Sequence, residues 1–231
     1  MAVKWGDVYT SMATEYEILA THSFHPPVVS AVIAMAEICQ RPVLEVGVGS
    51  GAFTVFLARA GLEIVGIDTE PGIVRMVREL VKQNGLSRTV KIQRMDGFDL
   101  KFKAGEFSVA FSQGLLEHFD DEEIARLLAE QRRVAELVVF SVPSVTWVNP
   151  KLADERRMSL NGWRAVLDAI GVEDADLVSY WNDWMILGLV PGLPGGNGDG
   201  EAEGGGVCEG YGGGVQKVRK KREEGKEEIG Y

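Results

Sequence analysis

The chain has 231 residues, 45% hydrophobic and 25% charged, with a formal net charge of −10. That length and balance fit one globular core of α/β size rather than a disordered chain. The acidic excess repels a phosphate backbone and argues against a general nucleic-acid binder, while apolar runs such as Val134 to Val145 fall short of a bilayer span.

The first residues, Met-Ala-Val-Lys-Trp-Gly-Asp, lack a charged-then-apolar leader, so a cytoplasmic protein is expected. Two helical segments come next, one near Asp7 to Ala20 and one from Pro26 to Cys39, where Pro26-Pro27 suits a helix start. Residues 1–40 are therefore expected to form a helical cover. Short β-branched runs then alternate with amphipathic stretches, as in a parallel sheet wrapped by helices. Val43 to Val46, Glu63 to Ile67, Val90 to Gln93, Ser108 to Phe111 and Leu137 to Val142 are the expected parallel strands.

Val74, Val77, Leu80 and Val81 recur at helical spacing before an Asn84-Gly85 stop. A second stripe, Ile124 to Val134, starts from Asp120 or Asp121 as its cap. Trp147 to Met158 reads as a loop and helix entry, with Glu155-Arg156 either a surface ion pair or part of a site. Leu177 to Tyr180 and Trp184 to Val190 flank Trp181-Asn182-Asp183 and predict a hairpin whose last strand runs antiparallel. The fold class is α/β: a doubly wound, Rossmann-like seven-stranded sheet over residues 41–190. From 191 to 231 periodic apolar residues vanish and half of the 28 glycines gather, which predicts a disordered tail. Cys39 and Cys208 make neither a disulfide framework nor a metal site and read as free thiols.

The strongest motif is Leu44 to Thr54, LEVGVGSGAFT, where a strand runs into Gly47, Gly49 and Gly51 and then a helix. Glycines there let the chain turn tightly and let a ligand approach bare backbone, and the following helix offers its free amides to an anionic group. Gly47, Gly49 and Ala52 equally satisfy a dinucleotide-binding pattern, so an NAD(P)-dependent oxidoreductase stands as the alternative. Asp68, at the end of the next strand, suits ribose hydroxyls in both readings. Glu45 separates them, because it faces a pyrophosphate in one and a cationic amino group in the other.

With these residues in view, the stretch from Val43 to Val190 resembles the class I S-adenosylmethionine-dependent methyltransferases, in particular their small-molecule members. The resemblance implies that Glu45, Gly47, Gly49 and Gly51 hold the methionine part of the cofactor and that Asp68, beside Thr69, binds the ribose. It also implies that Asp96 and Gly97 in IQRMDGFDL contact adenine. The segment from Ser112 and Gln113 to His118 in FSQGLLEHF then lines the floor between cofactor and acceptor. Asn/Asp-Pro-Pro-aromatic and nucleophilic-cysteine segments, which mark two classes of nucleic-acid base methyltransferase, are replaced by Ser112-Gln113-Gly114-Leu115.

The expected activity is methyl transfer to an unidentified small-molecule acceptor, with no metal. Glu117 and His118 are the candidates for a base. The aromatic-rich segment with Tyr9, Tyr16, His22, Phe24 and His25 either packs or folds over the site as a lid. A non-catalytic cofactor-sensing or partner-binding module on the same fold is the reading from outside enzymology.

Overall fold

The computed structural model describes residues 9, 11–148 and 154–193. Helix α1 (Glu15–Phe24) starts at Thr14, whose hydroxyl accepts the Glu17 amide while the Glu17 carboxylate accepts the Thr14 amide. Two orphaned donors are thereby satisfied. This reciprocal cap sets the start of the first described helix at Glu15, later than the expected Asp7, and residues 1–8 lie outside the described residues. Helix α2 (Pro26–Cys39) begins on two prolines, which cannot continue the hydrogen bonding of α1, and the two axes meet at 88°. His25 sits at that corner and its side chain makes no capping bond.

Five parallel strands follow: β1 (Val43–Val46), β2 (Ile64–Asp68), β3 (Val90–Arg94), β4 (Phe107–Gln113) and β5 (Ala135–Pro143). Strands β6 (Asp176–Tyr180) and β7 (Met185–Pro191) form the hairpin. The order is β3-β2-β1-β4-β5-β7-β6, with β7 antiparallel to both of its neighbours. The doubly wound seven-stranded architecture predicted from the sequence is the one observed. The order reverses between β1 and β4, so the chain leaves their carboxyl ends in opposite directions and opens a crevice there.

Helices α3 (Ala52–Arg59), α4 (Pro71–Gln83), α5 (Asp121–Val134) and α6 (Leu160–Ala169) fill the remaining connections. Asp120 caps α5 through a second reciprocal box with Glu123. On one face of the sheet Val138, Phe140 and Val142 pack with Ile124, Leu127 and Leu128 of α5 and Trp163 of α6. Strand alternation turns Ser141 to the opposite face, where α2 packs on β4 and β5. Gly188 of β7 is required for this packing, because a Cβ there would lie 2.1 Å from the Phe140 ring.

The hairpin turn is unusual. Trp181, Asn182 and Asp183 all adopt left-handed backbone, with φ of 57°, 55° and 62°. Each such residue costs roughly 1 kcal/mol. The turn is held by the Ser179 hydroxyl on the Asp183 carboxylate at 2.5 Å, by the Thr146 hydroxyl on the Asp183 carbonyl at 2.6 Å, and by packing of Trp147, Trp181 and Trp184.

Glu155 pairs with Arg157 at 2.6 Å, whereas Arg156 reaches Asp121 at 2.6 Å and the Phe119 carbonyl at 2.7 Å. Of the two readings left open for Glu155-Arg156, the mutual ion pair is therefore not made, each instead having its own partner. Of the two cysteines read as free thiols, Cys39 ends α2 and Cys208 lies outside the described residues. Gly192 and Leu193 still bond to the Glu136 and Arg132 carbonyls, so order continues past Pro191, and the rest of the expected tail lies outside the described residues. Among the described residues no single helix is long and apolar enough to cross a membrane, and no cluster of metal-ligating side chains occurs.

Candidate active site

The crevice at the β1/β4 reversal is two joined hollows that share Tyr9, Gly47, Gly49 and Gln113. Their common wall is the glycine loop. The Gly47 and Val48 amides donate to the Ile67 carbonyl at 2.9 and 3.2 Å, which folds the loop back over the end of β2. Gly47 and Gly49 have φ of 79° and 49°. The Tyr9 ring lies 3.0 Å from where a Gly49 Cβ would stand, so the bare backbone is approached on this side. Gly51, with φ of 85°, serves packing instead: a Cβ there would meet Val77 and Leu80 at 3.0 Å.

The first hollow is lined by Asp68, Thr69, Met95, Asp96, Gly97 and Phe98, and by Leu115, His118, Phe119 and Leu127. Asp68 closes β2 and accepts the backbone amides of Gly49, Thr69 and Glu70, the last at 2.9 Å. Burial nevertheless leaves its carboxyl above the usual range, because desolvation outweighs those bonds. The Asp96 carboxylate accepts the Phe98 amide at 3.0 Å, so Asp96 and Gly97 form a turn whose outer face borders the hollow. His118 Nδ1 is 3.0 Å from the Asp154 carboxylate, which holds Asp154 below its ordinary range.

The second hollow lies beneath α1. Tyr16, Glu17, Thr21, Phe24 and His25 line it opposite Glu45, Ser50 and Phe53. Glu45 faces this side because alternation along β1 sends Leu44 and Val46 into the core on the other face. The Thr54 hydroxyl donates to the Glu45 carboxylate. Burial pushes that carboxyl up to about 8, the Thr54 bond opposes the shift, and the charge of Asp68 adds to it.

Glu117 is 2% exposed and one of its oxygens has no hydrogen-bond partner; burial raises it to about 8, with Glu155 adding and Arg157 opposing. The Tyr9 phenol is raised first by burial and then by Glu117, Asp68 and Glu45 in turn. Three carboxylates thus converge on one phenol, and no Lys or Arg lines either hollow among the described residues.

Of the residues singled out from sequence, the structure gathers Glu45, Gly47, Gly49, Asp68, Thr69, Asp96, Gly97, Gln113 and His118 along this cleft. Glu117 lies just behind it, within electrostatic reach of Tyr9. Ser112 is 1% exposed inside the sheet and its hydroxyl has no partner there, because its neighbour Gln113 takes the outward position at the strand end. Sequence reasoning gave His25 a place in a segment that packs or folds over the site as a lid, and it gave Tyr180 only a place in the hairpin. His25 Nδ1 lies 2.9 Å from the Tyr180 hydroxyl, which lies 2.7 Å from the Ser141 hydroxyl.

Residues 43–136 match the family model of a methyltransferase domain. The chain is 29% identical over 106 residues to a ubiquinone biosynthesis O-methyltransferase of Methylococcus capsulatus, covering 46% of this chain and 44% of that protein. It is 33% identical over 111 residues to an uncharacterized methyltransferase of a Mycobacterium species, covering 48% and 41%. The chain thus spans less than half the length of these curated relatives. Its fold matches magnesium protoporphyrin IX methyltransferase from Synechocystis, solved with bound SAH, with a TM-score of 0.59 at 15% identity over 82% of this chain and 93% of that one.

Proposed function

We propose that this chain, whose residues 43–136 are a methyltransferase domain, transfers a methyl group from S-adenosylmethionine to a small-molecule acceptor. The observation that carries the reading is the convergence of Glu45, Asp68 and Glu117 on one cleft that no Lys or Arg lines among the described residues. With Asp68 in place and Glu45 ionising when a cation binds beside it, such a cleft suits the sulfonium and ammonium charges of S-adenosylmethionine, and among the described residues it offers no side-chain cation to a dinucleotide's pyrophosphate. The residues present fit the methyl donor: Asp68, Asp96 and Gly97 at its nucleoside end, and Glu45 with the Gly47 and Gly49 backbone at its amino-acid end. When bound, the donor supplies an already activated methyl group.

What remains for the protein is alignment and exclusion of water, so proximity dominates over elaborate acid-base chemistry. The glycine loop fixes one side of the donor, the turn at Asp96 the other, and Tyr9 closes the space between them. His118 stands in the nucleoside half, beside Phe119 and Leu127. That position suits a wall of the donor pocket. Glu117, protonated below about 8, offers a hydrogen bond rather than an anion at neutral pH.

Calorimetric titration of the chain with S-adenosylmethionine and with NADP+ tests the reading, followed by labelled donor against a panel of hydroxyl, amine, thiol and carboxylate acceptors. Binding of S-adenosylmethionine and label transfer are expected. Binding of the nicotinamide dinucleotide alone reverses the assignment.

A further inference from the structure

Building on that proposed function, we propose that the hollow beneath α1, shared with the donor's amino-acid end at Glu45, holds the acceptor beside His25, that this acceptor is an uncharged aromatic hydroxyl compound, and that His25 Nε2 accepts the hydrogen bond from that hydroxyl. The corner between α1 and α2 creates the site. The Pro26-Pro27 break puts His25 at an 88° bend and, with no capping bond to make, the imidazole turns inward. Its Nδ1 is engaged by Tyr180, and Tyr180 by Ser141, so three elements distant in sequence fix the ring. The Nε2 atom makes no bond within the protein among the described residues, on the residue that lines the hollow.

The chemistry of the lining selects the ligand. Tyr16, Phe24 and Phe53 present aromatic faces, with the Phe53 and His25 ring centres 5.3 Å apart. Phe24 in turn packs on Trp181 at 5.1 Å, so the aromatic wall continues onto the cluster of Trp147, Trp181 and Trp184 at the turn of the hairpin. The titratable groups around His25 are Tyr9, Tyr16, Glu17 and Glu45 from the hollow and Tyr180 from β6. None is a Lys or Arg, which disfavours carboxylate- or phosphate-bearing acceptors. Burial holds His25 down to about 4, so the ring is neutral at physiological pH and Nε2 can accept a hydrogen bond.

The hollow shares Gly47, Gly49 and Gln113 with the donor half, which brings a hydroxyl held by His25 to the donor's methyl end. The hydroxyl oxygen forms the new bond to the methyl carbon as the carbon–sulfur bond breaks and its electron pair stays on sulfur. The hydroxyl proton passes to Nε2, and the imidazolium then donates from Nδ1 to the Tyr180 oxygen before releasing the proton to solvent. A weak base suffices, because the oxygen becomes strongly acidic as the methyl group arrives.

Equilibrium dialysis with two probes tests the inference: 4-nitrophenol, kept neutral by working below its ionisation, and 4-nitroanisole, which lacks the donor hydrogen. The chain carrying His25 is expected to prefer the phenol by roughly three- to tenfold, the range of one buried hydrogen bond. His25→Phe removes the preference, Tyr180→Phe reduces it, and His25→Gln, which keeps an acceptor, retains part of it and guards against misfolding of the Phe variant. Equal affinity for both probes, or a preference that survives His25→Phe, overturns the inference. Calorimetry with S-adenosylmethionine on the same samples separates the two levels: intact donor binding without a phenol preference overturns the acceptor subsite alone, whereas absent donor binding overturns the function.

Discussion

Thr54, in the first turn of α3, donates its hydroxyl hydrogen to the Glu45 carboxylate that ends up beneath the glycine loop. Glu45 is 4% exposed, and this hydroxyl is the counterweight to a burial that raises the carboxyl to about 8. A cationic ligand beside Glu45 favours the ionised form, so binding S-adenosylmethionine below about pH 8 is expected to release a proton. Affinity therefore rises with pH and levels off near 8. Calorimetry in buffers of different ionisation enthalpy measures the released proton directly. Glu45→Gln abolishes that release and weakens binding about tenfold or more, as loss of a buried charge pair does; proton release unchanged in Glu45→Gln removes Glu45 from the site.

Glycines of this chain divide by what a methyl group would strike. At Gly49 a Cβ combines φ of 49° with contact to the Tyr9 ring at 3.0 Å, and at Gly51 it combines φ of 85° with Val77 and Leu80 at 3.0 Å. Gly49→Ala is expected to cost donor binding, whereas Gly51→Ala destabilises the fold by about 1–3 kcal/mol because strain and overpacking add. Gly72, inside the first turn of α4, meets nothing within 4 Å. Gly72→Ala is expected to stabilise by about 0.5–1 kcal/mol through the unfolded state. Denaturant melts of the three variants give the order Gly72→Ala above wild type and Gly51→Ala lowest.

The glycine loop, Asp68 and the Asp96-Gly97 turn were legible in sequence because each is a local event, a strand end followed by a turn within a few residues. So was the hairpin, from its apolar runs, although the insertion of β7 between β5 and β6 depends on the exposed edge of β5 and cannot be read from local pattern. The His25–Tyr180–Ser141 chain was not legible. Its members lie 155 and 39 residues apart, and nothing around Tyr180 in LVSY distinguishes it from any aromatic in a strand. Ser112 misled for a related reason: strand alternation, rather than proximity to the motif, decides whether Ser112 or Gln113 faces the cleft.

Glu117 is placed to make the fold sensitive to alkali. Its folded carboxyl holds a proton up to about 8, while in the unfolded chain a glutamate releases it near its ordinary value of 4.5. Between those values the unfolded state binds fewer protons, so stability declines as pH rises from about 4.5 to about 8. Glu117→Gln keeps the shape and removes the titration. Its melting temperature is expected to match wild type at pH 4 and to exceed it by about 2–8 °C at pH 8. A gap that fails to widen with pH contradicts the buried, protonated state.

His118 and Glu117 were the sequence candidates for a base, and the geometry gives His118 a different task to perform first. Its side chain is 8% exposed, pinned through Nδ1 to Asp154, and lines with Phe119, Asp96 and Gly97 the hollow proposed for the donor's nucleoside. A residue that shapes the donor pocket changes donor affinity, while a residue that takes the acceptor proton changes the chemical step. His118→Gln is therefore expected to raise the Kd for S-adenosylmethionine several-fold with kcat for methyl transfer near wild type, and Asp154→Asn to show a weaker form of the same pattern. The opposite split, an unchanged Kd with kcat down by about 100-fold or more, transfers the proton-accepting role from His25 to His118.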